Sequence, residues 1–363
     1  MILSMFGKNI KFDIQDKEVE TVLIDKLSIY PVGKEENFEV KISILDKIQF
    51  PKKYYNNPSI HYTTQNSFII NFGVIKVKYT KDDLLYIDIE IDKSKNFISK
   101  FRTINYENTI DSIGEILHEL VFIPMNFFDT TKALIHASSM KNISNNKVIM
   151  IGGTGGVGKT SLELLLCEEL GYSFISDDIA IVSSDIKIFP NLSYPKIYAY
   201  NVANNIKLYN KLFMNKSIID KFQWNLRKKL KGEKGVRRSI SPNIIFDSVE
   251  RVPNKIDEYY ILSRTNLVTK IEIEEVDNSI AVDMTLKIIK NEYASVIQHI
   301  VWHEYNALFN KQNPIISELK LYETWSNIYQ KIFSNIKCFV VRIPNNISHE
   351  IFLKSMKKVF HEK

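Results

Sequence analysis

The sequence predicts a mostly antiparallel β domain followed by an α/β core. The first hundred residues alternate apolar and polar side chains at the period of β-strands. A glycine-rich turn near residue 155 then lies between an apolar strand and an amphipathic helix. Because 363 residues exceed what one hydrophobic core usually organises, we expect separate domains. Their expected ranges are 1–107 for the β domain, 108–130 for a linking helix, 131–345 for the core and 346–363 for a carboxy-terminal helix or tail.

Composition excludes several classes of protein. A hydrophobic fraction of 45% with 25% charged residues is that of a globular protein, not of a disordered or collagen-like one. A net charge of +6 is too small for a dedicated nucleic-acid binder. Cys167 and Cys338 are too few for a disulfide scaffold, and no apolar run is long enough to span a membrane. We therefore expect a cytoplasmic protein with no nucleic-acid or membrane partner.

The amino-terminal strands are predicted from their alternation. They are expected at 38–44, 67–79 and 84–91, and the polar residues 80–83 between the last two suit a hairpin turn. The period then changes, so that apolar residues between 109 and 120 form one helical stripe. This helix is expected to join the two halves of the chain.

The core alternates strands and helices. Strands are predicted at 133–137, 147–151, 173–176, 179–182, 186–189, 259–263 and 338–343. Helices are predicted at 158–170, 201–230, 281–309 and 317–334.

A motif for phosphate binding comes after the strand at 147–151. It is the run Gly153, Thr154, Gly155, Gly156, Val157, Gly158, Lys159, Thr160, which fits G-x-x-x-x-G-K-[ST]. Such a loop aims backbone N–H groups at an anion, and the next helix adds its dipole. Lys159 would contact the β- and γ-phosphates of a nucleotide and Thr160 would ligate Mg²⁺. Ser161 completes the candidate nucleotide site, and the alternative is an ordinary glycine-rich turn.

Two adjacent acids stand at the end of the next predicted strand. Asp177 and Asp178 come 18 and 19 residues after Lys159. In a parallel or mixed sheet, the carboxyl ends of neighbouring strands share one edge, so these carboxylates should face the phosphate loop. One can hold Mg²⁺ and the other can accept a proton from a hydroxyl. The alternative is a solvated Asp-Asp turn.

Residues 134–182 resemble the catalytic core of the HPr kinase/phosphorylase family and its broader relatives. The segments that carry the resemblance are LIHAS, VIMIGGTGGVGKTS and FISDDIAIV. The resemblance implies an α/β P-loop core of the HPr-kinase type, with a fold related to phosphoenolpyruvate carboxykinases. It also implies ATP and Mg²⁺ as cofactors, Asp177 as general base, Asp178 as a magnesium-side partner and His136 as a neighbour that orients the base. The two acids could exchange roles.

The chain departs from that family at two places. The family has a glutamate shortly after the P-loop lysine, whereas here Ser161 stands closer and Glu163 is the nearest acid. The family's downstream segment, associated with the phosphorylase reaction, is missing after Arg238. The amino-terminal half looks more like relatives found with peptide-modification systems, such as lasso-peptide kinases.

A basic segment at 226–238 ends in Arg237 and Arg238. We expect it to close over the γ-phosphate, with these arginines offsetting charge during transfer and Gly232 and Gly235 as hinges. The alternative is a solvated helix end and loop. His299 and His303 share a helix face but lack a zinc-protease pattern, so they are expected to be core or surface residues.

The function expected from the sequence is an ATP-dependent kinase that phosphorylates a hydroxyl, first of all a serine of a peptide or protein. A small-molecule kinase, for free serine or a sugar, is the nearest alternative. A non-catalytic nucleotide-dependent switch is the alternative from another class, and self-association stays open.

Overall fold

The computed structural model describes residues 1–34, 37–92, 112–203, 205–214 and 216–361. The chain divides into two compact units, the first formed by Met1–Thr130 with Lys290–Thr324 and the second by Thr131–Ile289 with Trp325–Lys363. The segment 290–324, which the sequence pattern assigns to the core, therefore belongs to the first unit.

The first unit is built on one seven-stranded sheet. Its strands are β1 (Ile2–Met5), β2 (Lys8–Ile14), β3 (Val40–Leu45), β4 (His61–Thr63), β5 (Ser67–Asn71), β6 (Ile75–Lys81) and β7 (Leu85–Ile91). Their order across the sheet is β1-β2-β3-β7-β6-β5-β4.

This sheet is mostly antiparallel, as predicted, but it contains two parallel pairings. Four of its pairings are antiparallel, but β3 pairs in parallel with both β2 and β7. The parallel step from β2 to β3 needs a crossover, which helix α1 (Lys17–Leu27) supplies. The sequence pattern did not predict α1, which is capped by Asp16 and buries Val19, Leu23 and Leu27.

The predicted strand at 67–79 is interrupted. It forms β5 and β6, separated by a turn at Gly73, whose φ of 85° lies in the left-handed region that favours glycine. The Asn71 side chain accepts a hydrogen bond from the Gly73 N–H (2.9 Å) and stabilises the turn. The predicted hairpin between 79 and 84 is present as the antiparallel pair β6–β7.

Helices complete the first unit. Residues 108–111 of the predicted linking helix lie outside the described residues. From Ile113 the chain forms α2 (Ile113–Leu117), a π-helical turn (His118–Phe122) and a 3₁₀ helix (Pro124–Phe128). The predicted helix at 281–309 is two helices, α8 (Asn278–Glu292) and α9 (Ala294–Phe309), and α10 (Glu318–Phe333) comes next. Of these three, α9 belongs wholly to the first unit, whereas α8 and α10 each run across a boundary between the units.

Three buried histidines, which we call the histidine cluster, lie in the first unit: His61 on β4, and His299 and His303 on α9. The Ile315 N–H donates to His303 Nε2 (3.0 Å), so the neutral His303 carries its hydrogen on Nδ1. Thr63 Oγ1 lies between His303 Nδ1 (3.3 Å) and His61 Nε2 (3.2 Å). Burial lowers the pKa of His299 and His303 to about 4 and that of His61 to about 3, so the cluster is uncharged at neutral pH.

The described residues of the second unit form three sheets. Its strands are β8 (Lys132–Ile135), β9 (Ala137–Asn142), β10 (Val148–Gly153), β11 (Tyr172–Ser176), β12 (Ala180–Ser183), β13 (Lys187–Phe189), β14 (Lys196–Tyr198), β15 (Arg237–Ser239), β16 (Asn254–Lys255), β17 (Glu258–Thr265), β18 (Glu272–Glu275) and β19 (Lys337–Pro344). The sheets have the orders β11-β9-β10-β17-β19-β18, β16-β13-β12-β8 and β14-β15.

Helices flank these strands in sequence. They are α3 (Lys159–Glu169), α4 (Ala199–Val202), α5 (Ile206–Leu212), α6 (Ile218–Lys231), α7 (Pro242–Ile245) and α11 (His349–His361). The single helix predicted at 201–230 is thus three helices. Across the described residues, no helix is both long enough and apolar enough to cross a bilayer.

Two chain crossings between sheets define the centre of the second unit. At His136 the chain passes from β8 in the four-stranded sheet to β9 in the six-stranded sheet. At residues 177–179 it passes back, from β11 to β12. Because β9 pairs with β11 and β8 pairs with β12, the two crossings lie side by side. The predicted strand at 133–137 is therefore broken at its histidine, and that break places His136 opposite Asp178.

Candidate active site

The glycine-rich loop connects β10 directly to α3. Every residue of β10 is buried, as expected for an apolar strand in the middle of a sheet. Gly153, Gly156 and Gly158 have φ angles of 139°, 77° and 118°, which other residues rarely adopt. A Cβ at Gly153 would lie 2.6 Å from the Leu262 carbonyl oxygen, whereas nothing lies within 4 Å of one at Gly155. The loop is therefore fixed at its base and open at its tip, next to the amino terminus of α3.

Lys159 is buried at the start of α3 and folds back over this loop. Its Nζ donates hydrogen bonds to the carbonyl oxygens of Gly153 (3.1 Å) and Thr154 (3.2 Å). It also lies 3.1 Å from His136 Nε2. The ammonium group thus sits at the loop, beside the crossing that carries His136.

His136 links the lysine to the acidic pair. Its Nε2 lies 3.1 Å from Asp178 Oδ1 as well as 3.1 Å from Lys159 Nζ. One imidazole nitrogen carries either a lone pair, which accepts from the lysine, or a hydrogen, which is donated to the carboxylate. His136 can therefore satisfy only one of these neighbours at a time.

Asp177 is the buried member of the acidic pair. Its Oδ1 accepts a hydrogen bond from Ser138 Oγ (3.1 Å), and Thr160 Oγ1 lies 3.5 Å away. Burial raises the pKa of Asp177, and the adjacent charge of Asp178 raises it further. Asp177 therefore faces the inside of the site, toward the predicted magnesium ligand Thr160.

Asp178 is the exposed member, with 52% of its side chain accessible. Its φ of 64° lies in the left-handed region, which aspartate tolerates better than most residues. The surrounding protein removes part of the water around the carboxylate, which opposes its ionisation, but the hydrogen bond and charge of His136, with Lys196 and Lys159 nearby, hold the pKa of Asp178 below its ordinary value. Asp178 is thus a charged carboxylate that solvent can reach.

Sequence reasoning missed three residues around this site. Glu163 was noted only as the nearest acid in α3, yet it is fully buried, and burial together with the Asp177 charge raises its pKa well above the ordinary value. Asn201 donates to Ser161 Oγ (3.1 Å), and Lys196 acts electrostatically on Asp178. The spacing of Glu163, four residues after Lys159, could have placed it on the same helix face.

The predicted basic lid is not a single loop. Residues to Lys231 belong to α6, Gly232 ends that helix with a φ of 73°, and Arg237 begins strand β15. Arg237 is exposed and donates to the Tyr198 hydroxyl (3.2 Å). Arg238 is buried, forms an ion pair with Asp220 (3.4 Å) and stacks over Phe213. Arg238 therefore anchors β15 to α6, and Arg237 is the arginine that faces solvent.

Comparison with solved structures finds a distant likeness. The chain is similar to the HPr(Ser) kinase/phosphatase from Coxiella burnetii. The match has a TM-score of 0.23 and 13% sequence identity, and covers 64% of this chain and 99% of the other. No protein-family model and no curated protein matches the chain. At this TM-score the likeness decides neither fold nor activity, so any functional assignment depends on the geometry of the chain itself.

The donors for a metal ion are few. Within the described ranges, no group of three or more His, Cys, Asp or Glu side chains could hold a metal ion. The Thr160 hydroxyl and the Asp177 carboxylate nevertheless share one side of the loop, and oxygen ligands of this kind are those that Mg²⁺ prefers. Mg²⁺ typically keeps several waters and binds through one or two protein ligands plus phosphates, so this donor set fits it.

Proposed function

We propose that the chain is an ATP-dependent kinase that transfers the γ-phosphoryl group to a hydroxyl. The observation that carries the proposal is the convergence of Lys159, Thr160, Asp177, Asp178 and His136 at one glycine-rich loop. Phosphoryl transfer needs positioning and charge stabilisation more than covalent chemistry. Positioning and charge stabilisation can be supplied here by an ammonium group, by a hydroxyl beside a buried carboxylate, and by an exposed carboxylate.

The loop is suited to hold the triphosphate. Its glycines leave open space at the tip, and α3 directs the positive end of its dipole there. Lys159 Nζ now donates to two loop carbonyls, which are weaker partners than phosphate oxygens. A bound triphosphate would therefore draw Lys159 toward itself and leave His136 Nε2 to donate to Asp178.

Our proposal exchanges the roles that the family resemblance gave to the two acids. Asp177 is buried beside Thr160, so these two residues would hold Mg²⁺, which offsets the charge of the phosphate oxygens when bound. Asp178 is exposed and hydrogen-bonded to His136, so it can reach an acceptor hydroxyl. Although the pKa of Asp177 is the higher of the two, access decides first, because a base must contact the proton that it takes.

The transfer step is a single displacement at the γ-phosphorus. The acceptor oxygen forms a bond to that phosphorus while the bond from phosphorus to the β–γ bridging oxygen breaks, which leaves ADP. The hydroxyl proton passes to the Asp178 carboxylate, which His136 holds in place. Lys159, which lies at the loop, would offset negative charge on the phosphate, and we expect the exposed Arg237 to contribute in the same way.

The acceptor that we propose is a serine of a peptide or protein. The exposure of Asp178 favours a large acceptor, because a chain segment can reach a carboxylate at the surface. A small-molecule acceptor would instead be expected to be enclosed on most sides.

A labelled-phosphate assay tests the proposal. The protein is incubated with Mg²⁺, γ-labelled ATP and fractionated extract of its source, alongside Asp178→Asn and Asp177→Asn. We expect label to enter an acid-stable peptide or protein fraction. Asp178→Asn should bind ATP normally but transfer about 10²- to 10⁴-fold more slowly, whereas Asp177→Asn should also weaken the response to Mg²⁺.

Asp185→Asn is the matched control, because Asp185 is an exposed carboxylate of the same unit that pairs with Lys187. Transfer by Asp178→Asn at the rate of the unmodified protein would refute the role of Asp178. Label that appears only as free phosphate, or stays on ATP with every fraction, would favour the nucleotide-dependent switch. Label in a small molecule would assign the acceptor to the alternative class.

A further inference from the structure

Helix α6 exposes an apolar face to solvent. Ile219, Phe222, Leu226 and Leu230 are spaced by three and four residues and fall within about 80° of the helix circumference. We call these four residues the outward arc. Phe222 is 66% exposed and Leu230 is 63% exposed, and Ile218 beside the arc is 85% exposed. A surface helix of a globular protein usually turns such a stripe toward the core.

The opposite side of α6 is anchored, which fixes the orientation of the outward arc. Trp224 is fully buried and packs edge-on against Phe213 (ring centroids 5.5 Å apart). Asp220, in the first turn, forms the ion pair with Arg238 of β15. The helix also begins with a capping box between Ser217 and Asp220. The outward arc is therefore a defined feature of a packed helix and not the result of a frayed end.

The arc is bordered by positive charge. Lys229 lies next to it on one side and Arg227 on the other, whereas Lys221 and Lys231 lie further round the helix, toward the side of Trp224. Residues 216–238 contain nine Lys and Arg but two acids, a surplus of seven where the whole chain has a surplus of six. Both acids are engaged in ion pairs, Asp220 with Arg238 and Glu233 with Lys228 (2.7 Å). This surface is therefore complementary to a partner that is both apolar and negatively charged.

Shape and charge together favour a lipid interface. Exposures above 60% mean that Phe222 and Leu230 protrude, and a protruding ridge inserts into a soft layer more readily than it forms a groove for a peptide. A second copy of the chain would bring its own lysines against these, which disfavours pairing through the arc. A basic helix with Phe and Leu on one face has the composition of helices that lie in anionic bilayer interfaces.

We propose that the outward arc of α6 docks the protein on a membrane surface rich in anionic lipids. The apolar side chains would insert at the boundary between headgroups and acyl chains, while the bordering Lys229 and Arg227 contact lipid phosphates. This proposal revises the expectation that the chain has no membrane partner. It does not depend on the proposed kinase activity.

Vesicle co-sedimentation tests the proposal on the full chain. The vesicles contain either equal parts of phosphatidylglycerol and phosphatidylcholine or phosphatidylcholine alone. We expect binding to the mixed vesicles only, and weaker binding as salt is raised. Phe222→Glu with Leu230→Glu should lower the apparent affinity by at least about tenfold, and Lys229→Glu alone by at least about fivefold.

Two matched controls test whether a new glutamate lowers vesicle binding only at the outward arc or at any exposed position. Leu267→Glu is the control for the apolar replacements, because Leu267 lies elsewhere in the second unit and is 88% exposed. Lys270→Glu is the control for the lysine replacement, because Lys270 is also exposed. Both should bind vesicles like the unmodified protein. Circular dichroism and urea unfolding check that each variant is folded, so that loss of vesicle binding is distinguishable from loss of structure.

Three outcomes would overturn the proposal. Absence of binding to the mixed vesicles is the first, and equal loss of binding with Leu267→Glu is the second. The third is self-association, measured by sedimentation velocity, that disappears in the Phe222→Glu, Leu230→Glu variant while no vesicle binding is found. That result would assign the arc to an interface between copies.

Discussion

Gly158→Ala should destabilise the protein through two separate effects at one position. The backbone at Gly158 has a φ of 118°, which is unfavourable for any residue with a Cβ. In addition, an added Cβ would lie 2.9 Å from two ring carbons of Phe352. Phe352 is fully buried, so its ring has little room to move.

The magnitude is the sum of these two contributions. The positive φ costs about 1 to 2 kcal/mol for an alanine. Overpacking against a buried ring costs about 1 to 3 kcal/mol, and the lower entropy of the unfolded alanine chain returns about 0.5 kcal/mol. We therefore expect the free energy of unfolding to fall by about 1.5 to 4.5 kcal/mol. Gly155→Ala, with no positive φ and nothing within 4 Å of its Cβ, should change it by less than about 0.5 kcal/mol.

Urea unfolding of the full chain, followed by circular dichroism, measures these differences. A third variant, Gly158→Ala with Phe352→Leu, isolates the steric part, because leucine lacks the ring atoms that the new Cβ would meet. The free energy of unfolding that the double variant loses should be smaller, by about 1 kcal/mol or more, than the sum of the losses in the two single variants. A Gly158→Ala protein as stable as Gly155→Ala would refute the loop geometry, and additive effects in the double variant would refute the clash with Phe352.

Three further predictions concern buried charges. The histidine cluster stays neutral in the folded state, with pKa values of about 3 to 4 against 6.5 when unfolded, so the unfolded chain binds protons first as pH falls. The free energy of unfolding should therefore decrease between about pH 6.5 and pH 4, and replacement of His303 by Gln should flatten that dependence in urea titrations at several pH values. Arg238→Ala should destabilise by about 1 to 2 kcal/mol, because it removes the packing over Phe213 and the ion pair with the partly exposed Asp220, whereas Arg237→Ala should cost less than about 0.5 kcal/mol in the same assay. Glu163→Gln should raise thermal stability more at neutral pH than at pH 4. Because the pKa of Glu163 is raised in the folded state, Glu163 ionises first in the unfolded state as pH rises, and this favours unfolding. An equal effect at both pH values would contradict this.

Local backbone geometry could be predicted from the sequence wherever glycine spacing encodes it. Gly153 and Gly158 were expected to shape a tight loop, and the structure gives both the positive φ angles that only glycine adopts easily. The strand before the loop and the helix after it were predicted from apolar runs of suitable length. These features depend on residues that are close in sequence.

Features that depend on distant residues were predicted less well. Helix α1 escaped detection although Asp16 and the four-residue spacing of Val19, Leu23 and Leu27 mark it, because the strands around it dominated the pattern. Without that crossover, nothing in the sequence indicated that β3 pairs in parallel. The amphipathic pattern of α6 was visible too, but periodicity does not say whether an apolar face turns inward or outward.

The division of labour between Asp177 and Asp178 shows why a site needs its fold. In the sequence, the two acids are equivalent neighbours, and either could be base or magnesium partner. Their difference arises from the crossing at residues 136–138, about 40 positions earlier, which places Ser138 against Asp177 and His136 against Asp178. The left-handed φ at Asp178 then turns the second carboxylate away from the first. A buried carboxylate beside the Thr160 hydroxyl and an exposed one beside an imidazole are chemically different groups, so the same dipeptide supplies two functions.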